Sequence, residues 1–227
     1  MAVSSIEEGI RFFNIKRYDT ALEQFKSANT DGLDSKAMME LVYYQGLCYT
    51  KLEKYDDALL YLEQVITSDE LPGRMVQCRL ALAYVYMVTK RTKMAEFELD
   101  RLVKGGMESV QIYTMLAYVA WSQKNNKRSV ELYEKALTLD PTNLTATNGL
   151  GYVLVDSGID VRRGLELCRK AVQTKPQNAA YLDSLGWAYF KSGELNEART
   201  ALRRALEIAP RHYEITKHMR MVIGEAS

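Results

Sequence analysis

Small residues return along this chain at nearly constant spacing, and no other feature constrains its fold as strongly. Gly9, Gly46, Ala83, Ala117, Gly151 and Gly186 follow one another at steps of 37, 37, 34, 34 and 35 residues. Twelve or thirteen positions after each stands a second small residue: Ala21, Ala58, Ala95, Ser129, Gly164 and Ala198. Four positions further on comes a larger side chain: Phe25, Leu62, Leu99, Tyr133, Cys168 and Leu202. A fixed period of this length marks an array of like units. Each unit is too small to bury its apolar face alone and stacks on its neighbours.

The residue types say what the unit is. Both small positions lie inside helical patterns, where glycine costs about 1 kcal/mol against alanine. That cost is tolerated where two helices must cross closely and larger neighbours fill the adjoining core. Breakers fall in mid-unit at Asn14, Lys90-Arg91-Thr92, Asn125-Asn126, Ser157-Gly158 and Ser192-Gly193. Turn signals end the units at Asp31-Gly32, Pro72-Gly73, Gly105-Gly106, Asp140-Pro141, Lys175-Pro176 and Ala209-Pro210. Each unit therefore reads as two antiparallel helices. The six units span about 2–35, 39–72, 76–109, 110–143, 144–178 and 179–212. The longer first two steps place extra residues in linkers, and the fifth unit carries one more within Asp156–Asp160.

The pattern resembles the tetratricopeptide repeat family, whose signature is Trp-x2-Leu-Gly-x2-Tyr, then Ala-x3-Phe, then Pro. Leu185-Gly186-x2-Tyr189, Ala198-x3-Leu202 and Pro210 fit it, as do Gly9, Phe12, Ala21, Phe25 and Ala28. The third unit lacks the proline, and the fourth has Ala120 where a tyrosine is usual. The wording of NGLGYVLVDSGID and YLDSLGWAYF is similar to that of bacterial members. The resemblance implies an all-α fold, an α-solenoid of six helix pairs in a right-handed superhelix. Residues 213–224 then read as a capping helix. Tyr213, Thr216, Met219 and Val222 sit at helical spacing with Lys217, His218 and Arg220 between them. A terminal unit has an apolar face without a neighbour, and an amphipathic helix covers it. A docking or membrane-surface role is the other reading of this basic helix.

In that family the first helix of each pair lines a concave groove, and the residue after the first small position faces into it. Here those residues are Ile10, Leu47, Tyr84, Tyr118, Tyr152 and Trp187. The same register brings in Tyr43, Tyr44, Met87, Thr114, Met115, Trp121, Asn148, Asp156, Asp183, Phe190 and Lys191. The expected partner site is Tyr44, Leu47, Tyr84, Met87, Tyr118, Trp121, Asn148, Tyr152, Asp183, Trp187, Phe190 and Lys191. Amphipathic aromatics with few charges suit an apolar peptide or protein segment. Trp187 offers the largest contact area and is expected to contribute most. Packing of these rings among themselves is the alternative. The Lys, Asn and Arg clamp of chaperone-tail binders is absent, since Ile6 with Ile10 and Tyr43 with Leu47 occupy its first positions.

Several classes of function lose support. His212 and His218 are six residues apart, and no Ser-His-Asp order, HExxH or phosphate loop is present. No catalytic residue, cofactor or metal ligand is expected. Asp156 and Asp160 flank Gly158, and helix capping suits them better than a calcium loop. Net charge is only +1, and Lys191 is nearly the only cation in the groove set, so no nucleic acid is expected. No run of 18 apolar residues suggests a membrane span. Three cysteines in no metal spacing read as buried thiols. The expected location is the cytoplasm, or the periplasm or a membrane anchor if a leader was removed. Three functions fit: a peptide-binding adaptor, a self-associating scaffold or homo-oligomer, and an accessory part of a bacterial envelope, pilus or secretion assembly.

Overall fold

The computed structural model describes residues 2–68 and 72–224, with side chains from residue 5 onward. These residues form thirteen helices and no strand. The chain divides into two compact units, one up to Met107 and one from Glu108. The first unit holds α1 (Ala2–Asn14), α2 (Tyr18–Ser27), α3 (Ser35–Lys51), α4 (Tyr55–Ser68), α5 (Pro72–Val88) and α6 (Thr92–Lys104). The second holds α7 (Val110–Ser122), α8 (Asn126–Leu139), α9 (Leu144–Asp156), α10 (Val161–Thr174), α11 (Ala179–Lys191), α12 (Leu195–Ile208) and α13 (Tyr213–Gly224).

Within each unit every helix packs on the next, and each first helix also touches the first helix of the following pair. Thus α1 meets α3 and α3 meets α5; in the other unit α7 meets α9, α9 meets α11, and α11 meets α13. Second helices make no comparable contact with one another. The first helices therefore form one layer of each unit and the second helices the other. This is an all-α solenoid arrangement.

The small residues act at the helix crossings. A Cβ built on Gly186 would lie 2.6 Å from Leu202 Cγ, and one on Gly46 would lie 2.9 Å from Leu62 Cδ2. In the fifth pair both small residues are glycines, and backbone approaches backbone. A Cβ on Gly151 would stand 2.9 Å from the Gly164 carbonyl, and one on Gly164 would stand 2.7 Å from the Gly151 carbonyl. In the fourth pair the small serine does a second job: Ser129 Oγ donates to the Ala117 carbonyl at 2.7 Å across the crossing.

The turn inside each pair is a left-handed residue seven places after the first small position. Lys16, Glu53, Lys90, Lys124, Gly158 and Gly193 all have φ between 58° and 83°. The next N–H reaches back to the helix: Lys54 to the Tyr49 carbonyl, Asn125 to Ala120, Glu194 to Tyr189. These bonds satisfy carbonyls that a helix end leaves orphaned. In the fifth pair that bond comes from Asp160 and not Ile159, so the additional residue lies just after Gly158.

Two expectations meet different geometry. Pro72-Gly73 is not a turn; it opens α5, and proline is well suited to a first helical position. The extra residues of the early units are not confined to linkers. Helices α3 and α5 have 17 residues against 13 in α7, α9 and α11. Lengthened first helices absorb them because the added backbone is hydrogen-bonded there.

Helix α13 packs on α11 and α12 and buries Ile215, His218 and Val222. It continues the register of α11 at a step of 34: the bond from His212 N–H to Ala209 repeats that from Asn178 N–H to Lys175. It thus lies on α11 and α12 in the register that a first helix has on the pair before it.

Candidate functional site

On the first-helix layer of the second unit the aromatic residues touch in sequence. Tyr118 meets Trp121 at 5.6 Å between ring centroids, and Trp121 meets Tyr152 edge-on at 5.4 Å. Trp187 meets Phe190 at 5.2 Å. His218 from α13 bridges the two groups. It stacks on Trp187 at 4.5 Å and lies 6.3 Å from Tyr152.

One carboxylate organises this cluster. Trp121 Nε1–H donates to Asp156 Oδ2 at 2.9 Å, and Trp187 Nε1–H donates to Asp156 Oδ1 at 3.2 Å. Both indoles are held by separate oxygens of one side chain at the end of α9. Asp160, its sequence neighbour, caps α10 by accepting from Arg163 N–H. The two aspartates read as a pair in the sequence thus have separate tasks: one caps and the other orients the tryptophans.

A second set of bonds links successive first helices. Asn148 Nδ2 donates to Ser184 Oγ at 3.0 Å. One step along, Asp183 Oδ1 lies 2.8 Å from His218 Nδ1. A carboxylate can only accept, so His218 donates. Asn148 and Asp183 occupy one register position, and Ser184 and His218 the next helix's answering position. The carbonyl Oδ1 of Asn148 is buried with no hydrogen-bond partner.

Burial separates the aromatics into two kinds. Tyr118 is 41% exposed, while Trp121, Tyr152 and Phe190 are half-buried. Burial, then the carboxylates of Asp156 and Asp183, holds the Tyr152 phenol above its ordinary pKa. Burial does the same at Tyr118. Both stay neutral hydrogen-bonding groups at ordinary pH. Trp187 is only 6% exposed, covered by His218 and by the Lys191 ammonium 5.6 Å from its ring centroid. The sequence puts Trp187 in the outward-facing row. Its indole is instead turned into the molecule, because α13 supplies a stacking partner and Asp156 an acceptor. Neither contact is legible without knowing that residues 31 positions apart meet.

In the first unit Tyr84 is 44% exposed, and Leu47 and Met87 are half-buried. Tyr44 is half-buried too, its ring centroid 5.3 Å from that of Phe13 and 5.0 Å from that of Tyr43. Among the described residues no cluster of His, Cys, Asp and Glu could hold a metal, and no helix is long and apolar enough to cross a membrane.

A solenoid of helix pairs with an aromatic first-helix layer defines a class of helical-repeat protein. Within that class the chain belongs to the tetratricopeptide repeat family. Sequence models of the tetratricopeptide repeat match residues 40–69, 110–143 and 179–212. A search of curated protein sequences finds no match. Among solved structures it is similar to the Cut9–Hcn1 hetero-tetramer of the APC/C, at 13% identity and TM-score 0.77. That likeness covers 98% of this chain and 43% of the other, so the chain spans less than half of that relative's length. A tetratricopeptide repeat protein from Parabacteroides merdae is similar at 14% identity and TM-score 0.76, over 98% and 84% of the two chains. YrrB, described as a tetratricopeptide repeat protein with an unusual peptide-binding site, is similar at 18% identity and TM-score 0.55, over 89% and 97%. At such identities the likeness is one of fold, and the fold supports a protein–protein interaction module.

Proposed function

We propose that the chain is a non-catalytic adaptor that holds an apolar protein segment against its first-helix aromatics. In the second unit Tyr118, Trp121 and Tyr152 carry the contact, with Phe190 and Lys191 at its margin. Tyr44, Leu47, Tyr84 and Met87 offer a surface of the same chemistry in the first unit. Asp183 and Asn148 shape the floor, and Trp187 supports it from beneath.

The carrying observation is the Asp156 carboxylate between two indole N–H groups. It fixes the rings before any partner arrives, so little side-chain freedom is lost on binding. Rigid, amphipathic aromatics are the side chains over-represented among residues that dominate binding energy. The YrrB likeness adds support at the level of fold: a tetratricopeptide solenoid is described there with a peptide-binding site.

The test compares capture of a partner from source-cell extract with thermal melting of the same variants. Tyr118→Ala, at an exposed ring, is expected to lose capture by about 2 kcal/mol, some thirtyfold, at a near-native melting temperature. Trp187→Ala is expected to fail differently, by lowering the melting temperature, since emptying a buried tryptophan site costs about 3–5 kcal/mol. Full capture by a stable Tyr118→Ala/Tyr152→Ala double variant would overturn the proposal.

A further inference from the structure

Two aspartates stand among the aromatic rings of the second unit without a lysine or arginine to answer them. Asp156 is half-buried and accepts from two indole N–H groups, both neutral donors. Asp183 is 9% exposed and accepts from the His218 ring. Among the described residues neither forms an ion pair with a lysine or arginine. They are also the largest charges acting on the Tyr152 phenol, followed by Glu214 of α13, whose carboxylate Lys217 holds at 3.3 Å. One turn before Tyr152 on α9, Asn148 Oδ1 adds a buried acceptor without a donor. The rings of this chain do take cations. Lys124 lies 6.0 Å from the Trp121 centroid and Lys191 5.6 Å from that of Trp187. The first unit provides its own: the Arg74 guanidinium lies 5.6 Å from the Tyr43 centroid. Tyr118, 41% exposed, and half-buried Tyr152 have no such cover among the described residues.

We propose that the segment held against this face presents a lysine or arginine, whose charged end seats between Tyr118 and Tyr152 and pairs with Asp156. The inference rests on the adaptor reading above and names the chemistry of its partner. Tyr152 and Asp156 are four residues apart and share a face of α9, so a cation over the ring is within reach of the carboxylate. Trp121 joins Tyr118 to Tyr152 at interplanar angles of 51° and 82°, so the three rings form walls and not a flat stack. An aliphatic stem covers the apolar rings while its charged head stays at the carboxylate. Attraction of a cation by the ring faces adds to this. An uncharged segment covers Asp156 without replacing the water that it loses, a cost that favours a basic one. An acidic segment adds repulsion to that cost.

The test pans displayed random linear peptides against the full chain and, in parallel, against Tyr118→Ala/Tyr152→Ala. Peptides that bind the wild type and not the double variant are synthesised. Each is made beside a twin in which its lysine or arginine is replaced by methionine. The expected peptides carry a basic residue and bind about tenfold more tightly than their twins. The ratio of the two affinities is then measured on Asp156→Asn, below its melting temperature as read by circular dichroism. A loosened fold weakens both peptides alike, so the ratio falls toward one only if the carboxylate faces the cation. If Asp156→Asn does not fold, the wild-type ratio alone decides. Ring-dependent peptides without a basic residue, or twins that bind equally, overturn the proposal and leave the adaptor reading standing. So does a ratio unchanged in Asp156→Asn. If no peptide depends on the rings, the adaptor reading fails and the proposal with it. A concentration-dependent dimer in sedimentation velocity, lost in Tyr118→Ala, assigns the face to a second copy and overturns both.

Discussion

At the scale of single residues, two side chains determine how the second unit's aromatic face is built. Asp156 accepts from both indoles, and each of its oxygens takes one N–H. An amide has only one acceptor oxygen, so Asp156→Asn can serve at most one tryptophan and turns a donor toward the other. Leaving a buried donor unsatisfied costs about 1–3 kcal/mol. Urea unfolding of Asp156→Asn is therefore expected to show a loss of about 2 kcal/mol with an unchanged m-value; an unaltered midpoint would remove Asp156 from its organising role. His218 is the second such residue. Its removal strips Asp183 of its donor and Trp187 of its stacking partner. His218→Ala is expected to cost about 2–4 kcal/mol, with a blue-to-red shift of tryptophan emission as the indole meets water. A native melting curve with altered emission would mean that the cap stays docked without it.

At the scale of helices and turns, the pattern of small residues makes a sharp claim about backbone approach. Alanine at Gly164 would gain about 1 kcal/mol of helix propensity, yet its Cβ would meet the Gly151 carbonyl at 2.7 Å. A carbonyl cannot swing aside as a side-chain tip can, so the crossing must widen. Overpacking of this kind costs about 1–3 kcal/mol, and Gly164→Ala is expected to destabilise despite its propensity. The intra-pair turns give the opposite sign. Lys124 has φ of 66°, a region that costs a non-glycine residue roughly 1–2 kcal/mol. Lys124→Gly should recover part of that, about 0.5–1 kcal/mol after the entropic cost of glycine, read as a higher urea midpoint. These two levels differed in legibility. The crossings were readable because a close approach demands a small side chain at a fixed period. The places of the turns were readable in five of the six units, but the left-handed residue itself only at Gly158 and Gly193, where the residue type announces the conformation. Lys16, Glu53 and Lys124 carry no such mark, and tertiary packing imposes φ on them. The aromatic row was likewise readable by register, but the inward turn of Trp187 depends on α13, which the period alone does not place against it.

At the scale of the whole molecule, the buried titratable groups push in one direction. Cys48 and Cys168 are buried, and burial raises both thiols from an ordinary 9.0 to about 12. Burial raises the Tyr43 phenol from 10.0 to about 12, and those of Tyr133 and Tyr152 further still. In each case the native fold disfavours the anion. As pH climbs past about 9 the unfolded chain deprotonates first, so unfolding releases protons and alkali favours it. The contribution of these groups is complete below the unfolded values and is lost as pH rises through the folded ones, with a slope of up to about 1.4 kcal/mol per pH unit for each group. On the acid side the depressed carboxyls of Glu108 and Asp140 lie on the exposed surface and carry little weight. Urea midpoints are thus expected to hold level from pH 7 to about 8.5 and to fall steadily from there toward pH 11. Cys48→Ala/Cys168→Ala should soften the first part of that fall, where thiols ionise before phenols. The same burial makes a chemical claim: the thiolate is the reactive form, so iodoacetamide at pH 8 should leave Cys48 and Cys168 unmodified until urea opens the chain. A midpoint still level at pH 10.5, or rapid alkylation of the folded protein, would show that these thiols meet water and that the packing around them is looser than the helix crossings require.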